Sequence, residues 1–266
     1  LPNILHESVP TGAGEEGNVV VRKYGATTKK KFVIKDHIDL GLSLCLIDVE
    51  RAAKISGARF YFLKGKLAIL EMSMMRYAID FLMKKKFELV LPPYLMKTEP
   101  YKGVVDLSDF QDVLYKVEGE DLHLIATSEH PLTAMHMNET LLKENLPLKY
   151  AGFSNNFRRE AGSHGKDTKG IIRQHQFDKL EMFSFCHPDK SEEEHELLLS
   201  IEEEIMNDLG FHYQVVNICG GDLPVVRTIF EDSQRAGSLR CLRPERIQEP
   251  IAGHLRHTSD GADQVT

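Results

Sequence analysis

Two runs of alternating side chains flank one glycine-punctuated loop between Phe157 and Phe183, FRREAGSHGKDTKGIIRQHQFDKLEMF, and a chain built around such a hairpin is drawn toward an antiparallel sheet. With a strand period of two, Arg158 and Glu160 share one face, and Phe157 and Arg159 the other. On the return run Arg173, His175, Phe177, Lys179 and Glu181 fall on one side. Pairing across residues 161–172 would collect Arg158, Glu160, Arg173, Phe177 and Glu181 on one face. Such a face offers cations for a phosphate, a ring for a base to stack on, and carboxylates for amino groups. The loop carries Gly162, Gly165 and Gly170 and is long for a hairpin, and such length usually serves function. An exposed charged hairpin would use the same residues, and the pattern alone leaves both readings open.

Elsewhere, Leu67, Leu70, Met74, Ala78 and Leu82 recur at helical spacing within residues 66–86, which close on three lysines suited to a helix C-terminus. The strand FELVLPPYL follows, and the methionines of the helix read as core packing. A second helix is expected over residues 191–209: Ser191 and Glu194 form a capping box, Leu198, Ile201, Ile205 and Leu209 an apolar face, and Gly210 the stop. Its glutamates read as a solvated face. Strand candidates VVVRKYG, LHLIAT, YAGFSNNF and YQVVNIC, joined by hairpins rather than regular strand–helix alternation, give an α+β class with a mainly antiparallel sheet flanked by helices.

With 40 acidic against 33 basic residues, the net charge of −7 repels polyanions and argues against a nonspecific DNA or RNA binder. Cys45, Cys186, Cys219 and Cys241 form no C-x-x-C pair, so no zinc site and a reduced, cytoplasmic protein are expected. No apolar stretch reaches the roughly 18 residues of a membrane helix, so no membrane partner is expected.

The spacing Phe157-Arg158-x-Glu160, a loop, then Arg173-x-x-x-Phe177 resembles motif 2 of the class II aminoacyl-tRNA synthetases. From about Leu1 to Leu223 the wording is similar to the seryl-tRNA synthetase family, through LPNILHESVP, HIDLG, GARFYFLKG, LVLPPYL, LIATSEHPL and VVNICGGDL. KFELVLPPYL resembles motif 1, which builds that family's dimer interface, with Pro93 as its characteristic proline and Lys86 where glycine is usual. Thr127-Ser128-Glu129 resembles the T-x-E element that holds the serine ammonium, and a helix N-cap is the alternative role for Thr127 or Ser128.

The resemblance implies a serine–tRNA ligase that makes seryl-adenylate from serine and ATP and passes serine to tRNA(Ser). Arg158 and Arg173 would be the catalytic residues, Arg158 at the α-phosphate and Arg173 at the outer phosphates. Glu160 would receive the adenine amino group and Phe177 would stack on adenine. Thr127, Ser128, Glu129, Arg158 and Glu181 would form the serine site, with ATP, Mg²⁺ and a second copy of the chain as companions. The serine carboxylate is already a nucleophile, so the site must chiefly position the reactants and neutralise charge.

The family wording stops near Pro224. Residues 1–224 hold 20 Lys and 7 Arg, whereas residues 225–266 hold 6 Arg and no Lys and lose hydrophobic periodicity. Motif 3 and the N-terminal tRNA-binding arm are not legible, so residues 1–224 read as a partial catalytic core, incomplete at the C-terminal end of its sheet. Residues 225–266 read as a divergent tail, either disordered or out of frame. A chain opening on Leu1 reads as an internal piece of a longer protein. A non-catalytic ATP- or ligand-binding module and a nonfunctional truncated product are the alternative functions.

Overall fold

The structure, a computed structural model, describes residues 5–26, 30–105, 113–159, 171–222, 239–242 and 264–265. It divides into two compact units, one of Leu1–Lys29, Glu144–Lys149 and Glu181–Arg246, the other of Lys30–Lys143, Tyr150–Leu180 and Ile247–Thr266. The strands β8 (Leu148–Phe157) and β9 (Gln176–Phe185) contribute residues to both.

In the first unit β1 (Val19–Tyr24) pairs antiparallel with β10 (Tyr213–Asn217), and Tyr24 stacks on Tyr213 with ring centroids 5.4 Å apart. The helix α6 (Ser191–Asp208) buries Leu198 and Ile201 completely, each contributing roughly 1.5–3 kcal/mol by leaving water. Gly210, at φ +69°, supplies the left-handed turn that ends the helix. The helix start departs from the expected capping box: Lys190 is the N-cap and no side chain caps it. Glu194 instead accepts from the Ser184 hydroxyl at 3.0 Å and pairs with Lys149 Nζ at 2.9 Å. The glutamates are not all solvated either. Glu202 is buried, and burial pushes its carboxyl up to about 9.

The glycines near the N-terminus serve close packing against CGGD. A Cβ on Gly12 would stand 2.6 Å from Cys219 Sγ, and one on Gly17 2.8 Å from the same sulfur. The Cys219 N–H donates to Asn18 Oδ1 at 2.8 Å, and Asn18 Nδ2 donates to Asp222 at 2.7 Å. Within this unit β11 (Leu239–Leu242) runs parallel to the end of β9, Leu239 beside Met182. The rest of residues 225–266, β12 (Gln264–Val265) aside, lies outside the described residues.

The second unit carries α1 (His37–Ser43), α2 (Val49–Ser56), α3 (Lys66–Lys84), α4 (Thr98–Val104) and α5 (Glu129–Ala134). Asp48 caps α2, accepting from the Arg51 N–H at 3.0 Å. That bond, with the Arg51 guanidinium beside it, holds the Asp48 carboxyl down at about 2. The helix α3 ends two residues before the expected lysine boundary. Lys86 then takes the left-handed conformation at φ +68°, and the Phe87 N–H returns to the Leu82 carbonyl at 3.1 Å. The turn usually made by glycine is therefore made by lysine, at a cost of roughly 1–2 kcal/mol.

The strand β4 (Glu88–Val90) lies parallel to β8, Glu88 beside Tyr150. Strands β5 (Leu95–Met96) and β6 (His123–Leu124) pair antiparallel. Met96, Tyr101, Leu114, Ile125 and Ala126 form a buried core cluster beside this pair. The α+β class holds, with antiparallel and parallel pairs flanked by helices. Among the described residues no helix is long and apolar enough to cross a membrane.

Candidate active site

The second unit assembles its site where β8 ends and β9 begins. The Arg158 N–H donates to the His175 carbonyl at 2.9 Å, and Asn155 bonds Asp178 through their side chains, so the strands run in opposite senses. Residues 160–170, including Glu160 and the loop glycines, lie outside the described residues. Phe157 donates its N–H to the Ile125 carbonyl at 2.9 Å, and Arg159 donates to Val113 at 2.8 Å. These two bonds tie one flank of the hairpin neck, and the His175 N–H, donating to the Arg59 carbonyl at 3.2 Å, ties the other.

Arg158 is half-buried and held on two sides. Its Nε donates to the Ala126 carbonyl at 3.1 Å, and its guanidinium lies 5.3 Å from the centroid of Phe177. The predicted phosphate residue and the predicted stacking ring are therefore in contact, with one ring face engaged by the cation. Arg173 is exposed on the approach to β9.

Ala126 leads directly into the T-S-E segment. Thr127, Ser128 and Glu129 are all buried. Ser128 precedes α5 but does not cap it; its hydroxyl donates to the Gly152 carbonyl at 3.3 Å. Thr127 Oγ1 accepts the Glu129 N–H at 3.4 Å. Glu181, also buried, belongs to the first unit. Pro93 is exposed between β4 and β5, beside the buried Pro92.

Five further residues, Phe60, Tyr101, Tyr115, His130 and His175, support this site and carry no role in the sequence reading. His175 Nδ1 lies 2.9 Å from the Arg158 carbonyl and 2.7 Å from the Tyr115 hydroxyl, and its ring stacks on Phe60 at 5.2 Å. The bond to the carbonyl requires the proton on Nδ1. Tyr101, fully buried, bonds His130 Nδ1 at 2.8 Å and accepts the Ala126 N–H at 3.3 Å. Burial raises the Tyr101 phenol well above its ordinary range, against the pull of the Ala126 N–H and of Arg158. His175 and His130 adjoin the recognised motifs, R-x-H and T-S-E-H, and that adjacency was the only available signal.

Residues 114–236 match the tRNA synthetase class II core domain (G, H, P, S and T). A serine–tRNA ligase of Methanocella arvoryzae is 50% identical over 226 residues, covering 85% of this chain and 53% of that protein. The chain thus spans about half the length of the curated relatives it matches. Seryl-tRNA synthetase from Pyrococcus horikoshii, solved with ATP, superposes with a TM-score of 0.80 at 44% identity, over 85% of this chain and 55% of that one. The cytoplasmic serine–tRNA ligase of Naegleria fowleri, solved with AMP, gives 0.81 at 39% identity, over 84% and 54%. The chain carries a core domain of the class II tRNA synthetases and over most of its length is similar to seryl-tRNA synthetases.

Proposed function

We propose that the chain is the activation core of a serine–tRNA ligase, which joins serine to ATP as seryl-adenylate and then transfers serine to tRNA(Ser). The observation that carries this is the anchored Arg158: its guanidinium is held against the Ala126 carbonyl and the Phe177 ring, one residue from the T-S-E segment. A cation so fixed can meet charge developing on the α-phosphate without reorganising. Arg173 would meet the outer phosphates, Glu160 the adenine amino group and Phe177 the adenine face. Thr127, Ser128 and Glu129 would receive the serine ammonium and hydroxyl. The serine carboxylate attacks the α-phosphorus, the bond to the bridging oxygen breaks, and pyrophosphate leaves.

Mg²⁺ belongs to this reading as the ion that accompanies the ATP phosphates. Among the described residues no group of three His, Cys, Asp or Glu side chains is placed to hold a metal ion by itself. Residues 1–224 are taken as the catalytic part and a cytoplasmic setting as its place. Serine-dependent exchange of pyrophosphate into ATP tests the reading. ATP binding without exchange would put a non-catalytic module in its place.

A dimer through the motif 1 helix is part of the same proposal. Ile69, Met72, Ser73, Arg76, Tyr77 and Asp80 line one shallow groove along α3, with Ile69 65% and Met72 73% exposed. The expected consequence is that Met72→Lys, which puts a charge in that stripe, shifts a sedimenting dimer to single chains. An unaltered chain sedimenting singly at about micromolar concentration would remove the dimer from the reading.

A further inference from the structure

We propose that Tyr101 and His130 are positioning residues for Arg158, acting through the backbone of Ala126; the inference rests on the activation-site reading. Ala126 is gripped from both ends. Its N–H donates to the Tyr101 hydroxyl at 3.3 Å, and its carbonyl accepts from Arg158 Nε at 3.1 Å. The same hydroxyl lies in hydrogen-bond contact with His130 Nδ1, 2.8 Å away, so the phenol oxygen joins Ala126 to His130.

Both side chains are sealed from water, Tyr101 at 0% and His130 at 3% exposure, and their rings meet edge to face with centroids 5.0 Å apart. Tyr101 comes from α4 and His130 from α5, immediately after Glu129. One phenol thus fixes the start of α5 and the residue on which the guanidinium rests. Neither side chain needs to touch a ligand to act. Without the hydroxyl, the Ala126 N–H would lose its buried partner, the 125–127 backbone would turn to find another, and Arg158 would lose the carbonyl that aims it.

The test contrasts AMP, which carries the α-phosphate, with adenosine, which does not, titrated into the chain by calorimetry. Tyr101→Phe keeps the ring and removes the hydroxyl; it is expected to weaken AMP about 3–10-fold and leave adenosine within about twofold. In an Arg158→Ala background the same change is expected to have no further effect on AMP, because the two act as one unit. Should Tyr101→Phe fail to fold, His130→Phe carries the same contrast with a smaller loss. Equal weakening of AMP and adenosine, or an additive loss in the Arg158→Ala background, overturns the inference. An unaltered chain that binds neither compound overturns the activation-site reading and this inference with it, whereas tight AMP binding insensitive to Tyr101→Phe overturns the inference alone.

Discussion

Arg158→Ala is expected to lower serine-dependent pyrophosphate exchange by roughly 10²–10³-fold, the loss typical when one preorganised donor to a developing charge is removed. The size follows from how the side chain is held. A solvated arginine would pay conformational entropy on each encounter with a phosphate, whereas this guanidinium is already fixed by the Ala126 carbonyl and the Phe177 ring. Arg158→Lys keeps a charge but cannot donate through Nε while offering a second edge to a ligand, so it is expected to recover only a small part of the rate. The effect should fall on the rate and on AMP affinity. Exchange in Arg158→Ala within about threefold of the unaltered chain would exclude this residue from the phosphate site.

Much of the fold of each unit is legible in the sequence, for local reasons. The apolar spacing of residues 66–86 places α3, and Leu198, Ile201 and Gly210 place the buried face and the stop of α6, because those signals repeat within one or two helical turns. The hairpin reading brings Arg158 to Phe177, and the structure puts them in contact. What is not legible depends on partners remote in the chain. Ser191 and Glu194 spell a capping box, yet Glu194 finds Ser184 and Lys149 instead, a buried hydroxyl and a nearby ammonium that outcompete a local backbone N–H. Lys86 reads as an obstacle to the turn after α3, and the chain makes that turn regardless, because the strain is small beside the burial of Leu82 and Phe87. The anchoring of Arg158 is hidden for a different reason. It uses the carbonyl of an alanine, and a backbone acceptor has no signature in a residue pattern.

Gly152 packs directly against the segment proposed to hold serine, and Gly152→Val is expected to damage both the packing and the proposed recognition. It lies on β8, where an added Cβ would stand 2.6 Å from Leu132 Cδ1, 3.0 Å from Ser128 Oγ and 3.1 Å from Ser128 Cβ. The Leu132 methyl could swing aside, but Leu132 is itself buried at 1% exposure, and Ser128 has none to spare at 0%. Alanine would already force Ser128 back by a few tenths of an ångström, and valine would add two methyl groups to a full space. An overpacking cost of roughly 3 kcal/mol follows, which lowers the melting temperature by about 6–12 °C in a chain of this size. The displaced group is the central residue of T-S-E, so Thr127 and Glu129 move with it, and the Ser128 hydroxyl loses the Gly152 carbonyl it donates to. Serine KM in the exchange reaction is therefore expected to rise about tenfold or more, with ATP KM changing less, because Ala126, the anchor of Arg158, is itself held by the Tyr101 hydroxyl. Gly152→Ala should show the same split at reduced size. A valine variant that melts with the unaltered chain and keeps its serine KM would mean that β8 does not set the position of the T-S-E segment, or that this segment does not hold serine as proposed.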